Sequence, residues 1–198
     1  MNRLRALTGV CCLLIGFVLN CGGDTQEQTA QQTPVEAVFV PEIGRYGGSV
    51  TIAQTVDPKS FNVMIAQETS TTDVLKYSFE GLTATHGVTT EVIPALAESW
   101  EVAEDKVTWT FHLRRGVQWF DGQSFTADDV IFTFNQVIYN PAITSSSKDA
   151  LTVEGEEFRV EKIDDYTVRI ITPVPYAPFL TQVGVPILPE HALADAVT

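Results

Sequence analysis

The stretch that most constrains the fold runs from Val107 to Ile138. Val107, Trp109, Phe111 and Leu113 alternate with Thr108, Thr110 and His112, the two-residue period of a strand buried on one face. Arg114-Arg115-Gly116 then turns the chain, and Val117 to Phe120 returns as a second short strand. Asp121-Gly122 is a tight-turn signal. Thr126 and Asp129 are spaced as a capping box, in which the hydroxyl and the carboxylate satisfy backbone N–H groups that the first helical turn leaves orphaned. The predicted helix runs over 126–139, with Ala127, Val130, Ile131, Phe134, Val137 and Ile138 on one face.

Similar reasoning covers the rest of the body. Ser49 to Thr55 reads as a strand. Ser70 and Asp73 suggest a second capping box, opening a helix that runs through Phe79 and stops at Gly81. Leu82 to Val88 is predicted as a strand and Pro94 to Leu96 as a helical turn. Two hairpins are expected, Ser99–Val102 with Val107–Leu113, and Phe158–Ile163 with Tyr166–Ile171. A short helix follows Pro189. Hairpins mixed with amphipathic helices indicate an α/β body of mixed α+β character.

The N-terminus has the composition of a targeting segment. Arg3 and Arg5 precede thirteen apolar-rich residues, Leu7 to Leu19, a run too short to span a bilayer, which takes ~20 residues. All three cysteines, Cys11, Cys12 and Cys21, lie here. Val18-Leu19-Asn20-Cys21 stands where a lipoprotein box is expected, with Cys21 as the lipid anchor, although such boxes favour a small residue where Asn20 stands. Residues 1–20 are therefore read as a lipoprotein-type signal peptide, 21–43 as a polar linker and 44–198 as the folded part.

Twelve basic against twenty-five acidic side chains give a net charge of −13. Binding to nucleic acid or anionic lipid relies on basic residues, so no nucleic-acid partner is expected. Enzyme signatures are scarce. His86, His112 and His191 lack a second ligand at metal spacing, and HExxH, GxSxG and P-loop patterns are missing from the sequence. No catalytic residue, metal site or cofactor is assigned. Arg114, Arg115 and the Glu154, Glu156, Glu157 cluster are read as solvated, and Trp100, Trp109 and Trp119 as packing residues.

Several blocks carry a family resemblance. Tyr46-Gly47-Gly48 is followed by Asp57-Pro58-Lys59-Ser60-Phe61-Asn62, then by Phe79-Glu80-Gly81-Leu82 and Pro94 through Trp100. Next come the Thr108–Val130 stretch, Asp165-Tyr166-Thr167-Val168 and Ile187-Leu188-Pro189-Glu190-His191. In this order they resemble the family 5 extracytoplasmic solute-binding proteins of ABC importers, the oligopeptide, dipeptide and nickel receptors. Two departures are Trp119-Phe120 where many members carry His or Ser before the Asp, and Val63 where Pro often follows the Asn.

The resemblance implies a periplasmic-binding-protein-like fold of two lobes around a cleft. On that reading the chain is an N-terminal fragment, the first part of lobe I with a subdomain inserted over 57–165, and alone it is expected to bind weakly or not at all. The implied function is capture of a peptide, or of a nickel chelate or sugar, by a monomeric extracytoplasmic receptor. The receptor is tethered to the membrane by its lipid anchor and delivers solute to a permease and its ATPase. Gln54 and Thr55, beside the first strand, are the candidate ligand contacts. The alternative is a lipoprotein or interaction module that keeps the first lobe without transport.

Overall fold

The computed structural model describes residues 47–197. The chain forms two units, Met1–Ser49 and Val50–Thr198. Gly47 to Ser49 are described from the first, and every element named below belongs to the second. The signal peptide over 1–20, the linker over 21–43, Cys21 and Tyr46 lie outside the described residues.

The centre is a four-stranded antiparallel sheet of β3 (Ala97–Val102), β4 (Thr108–Leu113), β7 (Arg159–Asp164) and β8 (Thr167–Ile171), in the spatial order β3-β4-β8-β7. Both predicted hairpins are present, and β4 pairs with β8 to join them. Phe111 and Leu113 on β4 and Val168 and Ile170 on β8 are buried, as the alternation requires. On the other face Thr108, Thr110 and His112 are only half-buried. A small hairpin of β1 (Thr83–Thr85) and β2 (Val92–Pro94) stands beside the sheet, and β5 (Thr152–Val153) with β6 (Glu156–Glu157) forms another.

The Thr126–Asp129 capping box forms as predicted: Asp128 N–H donates to Thr126 Oγ1 and Thr126 N–H to Asp129 Oδ2. It opens α2 (Ala127–Ile131), whose continuation over Phe132–Ile138 is π-helical rather than α-helical. At this junction the Thr133 hydroxyl donates to the Asp129 carbonyl at 2.7 Å. It occupies the acceptor of the i−4 ladder, a contact known to bend helices. The same hydroxyl accepts Leu188 N–H at 2.9 Å.

Other elements also depart from the sequence expectation. The Ser70–Asp73 box does not form. Glu68 takes the N-cap position of α1 (Thr69–Leu75), and its carbonyl accepts the N–H groups of Thr71 and Thr72. Pro94 to Leu96 is not a helical turn, because Ala95 N–H and Ala97 N–H donate to Leu82 O and Leu96 N–H donates to Gly81 O. Val117 to Phe120 supplies only one arm of a tight turn, with an isolated bridge between Gln118 and Ser124. Ser49 to Thr55 is not a strand: among the described residues no other segment pairs with it, and Val50 and Ile52 are exposed.

One apolar core joins these pieces. Phe179, from α3 (Phe179–Gln182), is fully buried, with ring centroids 4.8 Å from Trp109, 6.0 Å from Phe111 and 5.7 Å from Phe158. Such a side chain contributes roughly 1.5–3 kcal/mol through burial. The chain passes from Ile187 into α4 (Glu190–Val197), which has no buried residue of its own. Among the described residues no helix is long and apolar enough to cross a membrane.

Candidate solute-binding surface

Two open grooves meet at Lys76 and Tyr77, at the end of α1. The first, about 560 Å³, is lined by Gln54, Thr55, Lys59, Glu68, Asp73 and their neighbours. Gln54 and Thr55, the residues singled out from sequence, are exposed and belong to a non-strand segment. The fold thus brings them opposite α1 rather than onto a strand edge.

The charges here are locally arranged. Thr71 Oγ1–H donates to Glu68 Oε1 at 2.8 Å, which holds the Glu68 carboxyl below the usual glutamate range. Lys76 Nζ donates to Asp73 Oδ1 at 2.8 Å, which raises the Lys76 ammonium above the usual lysine range. Glu68 and Lys76 are therefore ionised at neutral pH, so the groove offers both signs of charge beside the backbone of 52–56. That suits a ligand carrying amide groups and charged ends.

The second groove, about 830 Å³, is chiefly apolar. Phe79, Leu96, Trp119, Phe125, Pro189 and Leu193 are among the residues that line it. Sequence reading missed it, although Trp119 and Phe120 ahead of Asp121-Gly122 were a signal: two large apolar side chains at a turn need a reason, and Phe120 is 96% exposed.

The remaining candidates have structural partners. Trp100 packs on Phe111, Trp109 on Phe179 and Trp119 on Phe125. Arg115 is not simply solvated: its guanidinium lies 4.3 Å over the Tyr166 ring. Arg114 Nε donates to Ala95 O. Glu157 pairs with Lys148 at 2.9 Å. His86 accepts from Thr89 N–H, His112 is 4.0 Å from Glu101, and His191 bonds Asp121 at 2.7 Å. Among the described residues no group of three His, Cys, Asp or Glu side chains is placed to hold a metal ion.

The described body thus combines antiparallel hairpins on one sheet, a capped helix and two open grooves. The model of the bacterial extracellular solute-binding proteins, family 5 Middle, matches residues 91–196, more than half of the chain. The chain belongs to this family. The dipeptide-binding protein of Escherichia coli (strain K12) is 43% identical over 109 residues, which cover 48% of this chain and 20% of that protein. The ABC transporter substrate binding protein CtaP of Listeria monocytogenes superposes with a TM-score of 0.68 at 29% identity, over 77% of this chain and 30% of that one. The OppA structure of Haemophilus influenzae in complex with the peptide RPPGFSPFR gives 0.62 at 27% identity, over 70% and 30%. The chain thus spans between a fifth and a third of the length of these relatives.

Proposed function

We propose that this chain acts as part of the substrate-binding component of an ABC importer, capturing peptides outside the cytoplasm and delivering them to a membrane permease. The observation that carries this reading is the family match over 91–196, together with the likeness to an ABC transporter substrate binding protein. Peptide is the favoured solute because the relatives include a dipeptide-binding protein and a structure holding a nine-residue peptide.

In this reading the ligand lies extended along the groove beside α1 and bonds the backbone of Gln54 and Thr55, so affinity depends little on its side chains. Lobes hinging over the ligand then complete the capture, with 57–165 as the subdomain inserted into the first. The receptor is a monomer held at the membrane by a lipid on Cys21, after removal of 1–20 and with 21–43 as the tether. Catalysis plays no part, since import needs a solute bound and released unchanged.

Calorimetry of the full-length gene product against di-, tri- and oligopeptides tests the central claim. Saturable heat is expected, and silence across peptides, a nickel–histidine complex and oligosaccharides would overturn it. Thr55→Pro removes one backbone N–H donor and should weaken peptide binding about tenfold, the worth of one good hydrogen bond. For the anchor, radiolabelled palmitate should be incorporated by the wild type and not by Cys21→Ser.

A further inference from the structure

The residues lining the groove beside α1 come from two segments, 52–59 and 68–77. Thr71 belongs to the second segment yet is fully buried. Its hydroxyl bonds a residue of each: it accepts Lys59 N–H at 3.2 Å and donates to Glu68 Oε1 at 2.8 Å. Lys59 and Glu68 both line the groove. A hydroxyl suits this position, because one oxygen offers both a proton and lone pairs.

These bonds differ from surface ones. Thr71 has no contact with solvent, so water cannot replace either partner, and the bond to the carboxylate is charge-assisted. That bond is the main reason the Glu68 carboxyl lies below the usual glutamate range. Gln67 N–H steadies the other oxygen, Oε2, at 3.3 Å, and Glu68 O accepts Thr71 N–H at 3.2 Å. Side chain and backbone of Glu68 are thus both tied to Thr71. The neighbouring Asp73–Lys76 pair closes on itself at 2.8 Å. Lys59 N–H, the Thr71 hydroxyl and the Glu68 carboxylate form a relay in which each bond polarises the next.

We propose that Thr71 is a positioning residue for solute capture: its buried hydroxyl joins the two segments of the groove and fixes Glu68, so that the ligand meets a surface already shaped and charged. Thr71 touches no ligand itself. This role rests on the reading that the solute lies along this groove. Affinity then gains from order present before binding, since a wall left loose must be ordered when the ligand arrives.

Thr71→Val keeps the shape of the side chain and removes both bonds, whereas Thr71→Ser keeps them. Calorimetry of the full-length gene product against di-, tri- and oligoalanine peptides should show affinity about tenfold weaker for Thr71→Val, the worth of one good hydrogen bond. Thr71→Ser should stay close to wild type. Thr72→Val is the control, because the Thr72 hydroxyl bonds carbonyls at the start of α1, Glu68 O and Thr69 O, and its affinity should match wild type. Followed by carbon-13 NMR, the Glu68 carboxyl should titrate nearer the ordinary glutamate range in Thr71→Val and stay low in Thr71→Ser. Glu68→Gln reaches the relay from its other end and leaves the buried position intact. Hydrogen exchange at Lys59 N–H should quicken about twofold in it, a readout that holds even if Thr71→Val does not fold. Silence of the wild type toward every peptide overturns the proposed function together with this role. Wild-type binding that Thr71→Val leaves intact, an equal loss in Thr71→Ser or Thr72→Val, an unmoved Glu68 titration, or unaltered Lys59 exchange in Glu68→Gln would overturn the positioning role alone.

Discussion

Asp129 shows how much one carboxylate can organise. It caps its own helix through Thr126 N–H, holds Glu190 N–H from a segment 61 residues away, and accepts Trp119 Nε1–H. It is buried, so removing it strands several donors at once, each costing about 1–3 kcal/mol when left unpaired. Asp129→Ala should therefore lower unfolding stability by about 2–4 kcal/mol, read as a fall in the urea midpoint at constant slope. Asp105 works differently, at the surface. Its carboxylate accepts Thr108 N–H and Oγ1–H and Val107 N–H, and these bonds hold its carboxyl below the usual aspartate range. A depressed folded-state value stabilises the fold above the unfolded-chain pKa of about 4 and loses that contribution as pH falls through the folded value. Asp105→Asn should thus cost stability at pH 6, with the gap to wild type narrowing toward pH 2.5 in thermal melts.

Gly81 belongs to the scale of elements. The sequence predicts it as the stop signal of a helix running through Phe79, but α1 ends at Leu75. Its role is instead to let two segments cross: a Cβ on Gly81 would lie within 2.4 Å of the Gly184 backbone. Nearby, Leu82 N–H donates to Val183 O and Ile187 N–H to Glu80 O, tying the β1 segment to the chain around α3. Because the obstacle is backbone rather than a flexible side chain, Gly81→Ala should destabilise by about 3 kcal/mol, at the upper end of overpacking costs, measurable by chemical denaturation. Elements whose pairing is local in sequence were legible: the hairpins of β3–β4 and β7–β8 follow from alternation and turn residues, and α2 from its capping box. Those that failed depended on distant partners. The 49–55 segment has strand composition but no pairing partner among the described residues, and Pro94–Leu96 is drawn out of a helical turn by the carbonyls of Gly81 and Leu82.

Over the whole molecule, one ring links the layers. Phe179 touches Trp109 and Phe111 on β4 and Phe158 ahead of β7, so Phe179→Ala opens a cavity where the sheet meets the 172–187 segment. It should cost about 3–5 kcal/mol, seen as a lower denaturation midpoint with the secondary structure retained below it. That contact was invisible in the sequence, where Phe179 lies among prolines with no periodicity to place it. The same holds for the candidate site. Gln54 and Thr55 were proposed from a strand edge, yet they line a groove that also draws on Glu68 to Asp73, the start of α1 and its N-cap, and the apolar groove draws on segments from Lys76 to Leu193. By itself the sequence determined the family, the two hairpins and the capped helix, because alternation, turn chemistry and capping act between residues close along the chain. Only the tertiary structure decided the Gly81–Gly184 crossing and both grooves, because each is a contact between segments whose separation in sequence leaves no local pattern to read.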